Sequence, residues 1–110
     1  PITALPEVAE AVRGANRARV SRGLPPCEVF VDGGVRRGRD VVKALALGAN
    51  AVLVGRPLIH GLAVAGEAGV ARVLDILRQE MTTTMQLSGA SATDQLDRSF
   101  VVPAPARAAL

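Results

Sequence analysis

A chain of 110 residues, 49% hydrophobic and 21% charged, has the composition of one small globular domain rather than of a disordered segment. A net charge of +3 raises nucleic acid as a partner, but the 13 basic residues are scattered beside 10 acids, and Phe30 and Phe100 are too few aromatics for base stacking. No apolar run approaches the roughly 18 residues of a membrane span and no basic-then-apolar leader is visible, so a cytoplasmic protein without nucleic-acid or membrane partners is expected.

In chain order, Leu5, Val8, Ala9 and Val12 recur at helical spacing, with Pro6 suited to a first turn and Glu7 and Glu10 near its positive end. This pattern predicts a helix ending near Gly14. Asn16 to Pro26 reads as a polar surface loop that delivers the chain to a strand at about Glu28 to Val31. Cys27, a lone cysteine, is expected to pack at that strand's entrance, and with the single His60 it leaves no metal-ligand set. A second helix is predicted from Gly38 to Leu47, offering Val41, Val42, Ala44, Leu45 and Leu47 to a core and stopping at Gly48. The next strand, Ala51 to Val54, is apolar throughout, which suits a parallel strand covered on both faces. A short helix from Leu58 to Ala65 and a long one from Glu67 to Leu87 follow. Val70, Val73, Leu74, Leu77, Met81, Thr84 and Met85 form one stripe on the latter, and Gly89 closes it. Ser91 and Asp94 resemble a capping box for a last short helix, Thr93 to Arg98, and residues 99–110 read as a loose tail.

Two segments concentrate the chemistry. Val29-Phe30-Val31-Asp32-Gly33-Gly34-Val35-Arg36-Arg37-Gly38 is answered by Ala51-Val52-Leu53-Val54-Gly55-Arg56-Pro57. Each is a short apolar strand that runs into glycine and arginine at the start of a helix. Glycine lets the backbone come close and aim its N–H groups outward, and a helix N-terminus adds partial positive charge, so two such cups can grip one phosphate. The bland readings are a tight turn for Gly33 and Gly34, surface charge for Arg36 and Arg56, and a turn cap for Asp32. Arg37 and Arg39 suit surface or salt-bridge roles better than ligation. Two parallel strands joined by a right-handed crossover leave edges unpaired, so the chain is expected to be part of a larger α/β unit.

Asp32-Gly33-Gly34-Val35-Arg36-Arg37-Gly38, Asp40, Lys43-Ala44-Leu45-Ala46-Leu47-Gly48-Ala49 and Gly55-Arg56-Pro57 closely resemble the FMN-dependent α-hydroxy acid oxidoreductases. The likeness continues through Gly61-Leu62-Ala63, Gly66-Glu67-Ala68-Gly69-Val70 and Met85-Gln86-Leu87-Ser88-Gly89. The resemblance implies an α/β fold, the C-terminal segment, helix 6 to helix 8, of an FMN-binding (β/α)8 TIM barrel. Residues 1–98 would belong to that barrel. It also implies FMN as cofactor, a small 2-hydroxy acid such as lactate as substrate, and a parent enzyme that is a homo-oligomer. Carried over residue by residue, Asp32, Gly33, Gly34, Val35 and Arg36 would form the first FMN-binding segment, and Gly55 with Arg56 the second. In such barrels phosphate sites commonly lie in the loops after strands 7 and 8.

The family's catalytic base is a histidine in a His-Gly-Gly-Arg motif, whose arginine binds the substrate carboxylate; this chain holds neither. It would therefore depend on a missing N-terminal part of the barrel and be inactive alone, with no catalytic residue of its own. His60 stands at the phosphate end, where relatives have an aromatic residue, and is expected to pack or to cap a local carbonyl. Two other readings stay open on the residues alone. One is a barrel of the IMP dehydrogenase or isopentenyl diphosphate isomerase type, and the other is a non-catalytic half-barrel that self-associates.

Overall fold

A computed structural model describes residues 2–103. Helix α1 (Leu5–Ser21) leads to strand β1 (Phe30–Asp32), helix α2 (Gly38–Ala46), strand β2 (Ala51–Leu53) and helix α3 (Arg56–Ser88). Two single 3-10 turns, Thr93–Gln95 and Arg98–Phe100, follow. β1 and β2 pair in parallel, with Phe30 opposite Ala51, Val31 opposite Val52 and Asp32 opposite Leu53. In a parallel pair, residues alternate between faces. One face sends Val31 into a cluster with Leu5, Val29, Ala44 and Ala49, walled by Val12, Leu47 and Val52. The opposite face is bare, with Phe30 56% and Leu53 51% exposed. The expectation of a strand covered on both faces is thus met on one side only.

α1 runs beyond Gly14, through residues expected to be loop. Gly14 has open space around it, and Ala15, Arg17, Ala18 and Arg19 are good helix formers, so one glycine is too small a penalty to stop the helix. The stop comes at Gly23, whose φ of 73° lets Gly23 and Leu24 donate back to Val20 and Arg19. The extra turns give Asn16 and Arg19 their work. Asn16 Oδ1 accepts from Cys27 N at 2.7 Å while its Nδ2 donates to Cys27 O at 2.9 Å, and Arg19 Nε donates to Pro25 O at 3.0 Å. Cys27 itself is exposed rather than packed; its backbone, not its thiol, is what the helix holds. Asn16→Ala is expected to cost about 1 kcal/mol and to speed proteolytic nicking of the loop before β1. Unchanged nicking would contradict this anchoring role.

α2 begins and ends as the sequence predicts, to within a residue, and Gly48 past its end has φ 105°. α3 is divided at Ala65 and Gly66, whose backbone is not helical, so it consists of the two predicted helices joined at a sharp bend. Its arms meet at Gly61 and Gly69: a Cβ on Gly61 would fall 2.6 Å from the Gly69 carbonyl oxygen. By length and hydropathy α3 is apolar enough to cross a membrane, but the bend interrupts it, and Arg72, Asp75, Arg78 and Glu80 charge its longer arm. Leu77 and Met85 of its apolar stripe are buried, while Leu74 is 49% exposed.

A second cluster joins Val42, Ala46, Met85, Ala90 and Leu96. Phe100 and Val101 pack against it, so ordered structure continues past the expected boundary at residue 98. The rest of the expected loose tail, residues 104–110, lies outside the described residues. The final cap also differs from expectation. Gln95 Oε1, not Asp94, accepts from Ser91 N at 2.8 Å and from Ser91 Oγ at 3.1 Å, and a single 3-10 turn forms in place of a longer helix.

Candidate functional site

The chain leaves the sheet at Asp32 and Leu53, the carboxyl ends of β1 and β2, and turns at each into glycine. Gly33 and Gly34 have φ of 88° and 81°, left-handed values that strain any residue with a side chain. After them the buried Val35 pins the loop to the core. At the second exit, Gly55 precedes the first turn of α3, with Arg56 and Pro57 opening the helix. Proline suits that place because the N–H it lacks would have no helical partner.

Both exits face one concavity of about 560 Å³. Asp32, Gly33, Gly34, Val35 and Arg36 line one side, and Gly55 and Arg56 the other, so all seven predicted site residues come together. Arg37, Leu53, Pro57 and His60 complete the wall. Among the described residues, the backbone N–H groups of Gly33, Gly34, Val35, Gly55 and Arg56 donate to no other group of the chain. Buried or not, a donor without a partner is a place for a ligand acceptor or for water. Arg36 and Arg56 form no ion pair among the described residues, and the Asp32 side chain makes no hydrogen bond there, so it does not cap the turn. His60 is exposed on the wall, four residues beyond Arg56 on α3, and neither packs nor caps a carbonyl as the sequence suggested.

The first cup departs from the sequence-based picture in one respect. The N-terminus of α2 is closed by carboxylates of the chain itself. Asp40 Oδ2 accepts from Arg36 N at 3.1 Å and Arg37 N at 2.9 Å. Glu80, on α3, accepts from Gly38 N at 2.7 Å through Oε2 and from the Arg37 guanidinium at 2.9 Å through Oε1. The helix dipole of α2 is therefore spent on these two side chains, and Arg37 is a salt-bridge residue. Donors for an anion remain on the Gly33 to Val35 turn and at the start of α3.

The Gly38 N–H, and after it the Arg37 guanidinium, hold the Glu80 carboxyl below the ordinary glutamate value of 4.5. A carboxylate lowered in the folded state stabilises above its unfolded value and loses that contribution as pH falls through the lowered value. The tie between α2 and α3 is thus expected to hold at neutral pH and to loosen only below about pH 4.5. Glu80→Gln should flatten that acid limb in an unfolding series across pH 3 to 6; an unchanged limb would show that Glu80 does not set it.

The sequence signature of the FMN-dependent dehydrogenases matches residues 1–103. The chain is 52% identical over 100 residues to a peroxisomal (S)-2-hydroxyacid oxidase of Arabidopsis thaliana, covering 91% of this chain and 24% of that protein. It is 46% identical, with the same coverage, to the L-lactate oxidase of Nostoc sp.. Among solved structures, mandelate oxidase with benzoyl-formic acid superposes with a TM-score of 0.74 at 44% identity, covering 88% of this chain and 26% of that one. Flavocytochrome b2 with sulfite bound superposes with a TM-score of 0.71 at 38% identity, covering 87% of this chain and 24% of that one. The chain spans about a quarter of the length of the curated relatives it matches. With the signature across nearly all of its length and half of its residues shared with 2-hydroxy acid oxidases, the chain belongs to the FMN-dependent dehydrogenase family, whose cofactor is FMN.

Proposed function

We propose that this chain is the FMN-phosphate-binding, C-terminal part of a (β/α)8 barrel enzyme that oxidises a 2-hydroxy acid to a 2-oxo acid. The observation that carries the reading is the convergence of N–H groups from Gly33, Gly34, Val35, Gly55 and Arg56, with two arginines, all without partners among the described residues, on one cavity at the carboxyl ends of parallel strands. A phosphate group suits that donor set. It offers several acceptor oxygens to backbone N–H groups and two negative charges to Arg36 and Arg56. Asp32, acceptor only when ionised, suits a hydroxyl of the ribityl chain.

When bound, FMN would accept the hydrogen and electrons removed from the hydroxy acid. This chain's own residues then serve to anchor the phosphate, neutralise it, and so fix the flavin's position in the barrel. The base and the carboxylate-binding arginine would come from elsewhere in the complete polypeptide. The bare sheet face carrying Phe30 and Leu53 fits this reading, because the remaining strands of a barrel would cover it. Glycolate, L-lactate and mandelate oxidases are among the relatives, which makes those three acids the first substrates to try.

The test is anaerobic mixing of the complete, FMN-loaded polypeptide with each of these acids. At least one is expected to bleach the flavin absorbance and to be converted to its 2-oxo acid. Failure of all three to do so would overturn the proposal.

A further inference from the structure

The pair Gly33 and Gly34 is the most pliant part of the first phosphate loop, and its N–H groups are useful only if they stay aimed. One end of that loop is fixed by β1. The other end meets α3 at Gly38, where there is no room for a side chain: a Cβ there would overlap the backbone at Leu77 and Met81 and fall 2.6 Å from Glu80 Cβ. At this contact Glu80 takes both the Gly38 N–H and the Arg37 guanidinium, reaching across 42 and 43 residues of sequence.

We propose that Glu80 is a positioning residue for FMN binding, which locks the far end of the Gly33 to Arg37 loop onto α3. α3 is also the helix whose first residue is Arg56, in the second cup. The two cups therefore share one reference body. The bend at Ala65 and Gly66, with the arms in contact at Gly61 and Gly69, sets the angle between Arg56 and Glu80. Asp40 completes the lock by holding the Arg36 and Arg37 N–H groups. Both Glu80 oxygens are engaged by donors, so the ionised carboxylate is the form that locks.

This inference rests on the phosphate-site reading and deepens it, and the experiment separates the two. The complete polypeptide, stripped of flavin, is titrated with FMN and with riboflavin, which lacks the phosphate, following flavin fluorescence. Glu80→Ala is expected to weaken FMN roughly tenfold and to leave riboflavin unchanged. Glu80→Gln, which keeps one acceptor, should fall between Glu80→Ala and the unaltered protein, and it carries the comparison if the alanine variant does not fold. Equal weakening of FMN and riboflavin, or no weakening of either, would overturn the proposal. Arg56→Ala is the control. If it lowers the FMN-to-riboflavin affinity ratio and Glu80→Ala does not, only the role of Glu80 falls. If Arg56→Ala leaves the ratio unchanged, the phosphate-site reading itself falls.

Discussion

Arg56→Ala in the complete polypeptide is expected to weaken FMN binding by about 1.5 to 3 kcal/mol, roughly ten- to a hundredfold, the range of hydrogen bonds to charged groups. Arg56 is the first residue of α3, exposed on the cavity wall and free of ion pairs among the described residues, so its charge is uncommitted. The variant keeps the backbone N–H of residue 56, and only the guanidinium contribution disappears. Two features distinguish this loss from general damage. Riboflavin affinity should not change, and the difference between variant and parent should shrink at high salt, because exposed charges are screened within about 10 Å at 0.1 M. Equilibrium titration at two salt concentrations measures both. An affinity change below about twofold would mean that Arg56 does not meet the phosphate.

The second large effect is expected at Gly38. The side chain that Gly38→Ala introduces would meet the Met81 amide and the Leu77 carbonyl, both in the body of α3, along with Glu80 Cβ at 2.6 Å. None of these is the free end of a flexible chain, so α2 and α3 would have to separate. The expected cost is about 1 to 3 kcal/mol in urea unfolding, the usual size of overpacking, with a loss of FMN retention as the Glu80 tie opens. Gly14→Ala is the matched control. It sits in the interior of α1 with open space around it, and it should stabilise by about 0.5 to 1 kcal/mol. A Gly38→Ala protein as stable as its parent would refute the close approach of the two helices.

The two glycine turns are the most legible feature of the sequence because their pattern is local. A strand, glycine and a helix start lie within a few residues, and the same spacing that marks them in sequence joins Asp32 to Arg36 and Gly55 to Arg56 in space. α2 is legible for a similar reason: its apolar residues and the glycine that stops it, Gly48, lie within one short stretch. The length of α1 is not, because its extension depends on contacts that local patterns do not show. Asn16 and Arg19 look like loop residues until their partners, Cys27 and Pro25, are in place. The last cap escapes the sequence pattern because the N-cap is Ala92, not Ser91: Gln95, three residues after Ala92, accepts from its N–H as well as from that of Ser91, and Asp94 takes no part. Glu80 gives no local sign at all. In sequence it is one charge among several on the longer arm of α3, and its meaning comes from Gly38 and Arg37, which only the folded chain brings beside it. It also changes the physics of the first cup, since a helix dipole that looks free in sequence is capped by the protein's own carboxylates.

The most direct measurement is a crystal structure of the complete polypeptide with FMN. Phosphate oxygens are expected at hydrogen-bond distance from the N–H groups of Gly34 and Arg56 and from the Arg56 guanidinium, with Glu80 still bound to Gly38. A phosphate seated elsewhere, with the cavity between Gly34 and Arg56 filled only by water, would contradict the proposed role of these two turns.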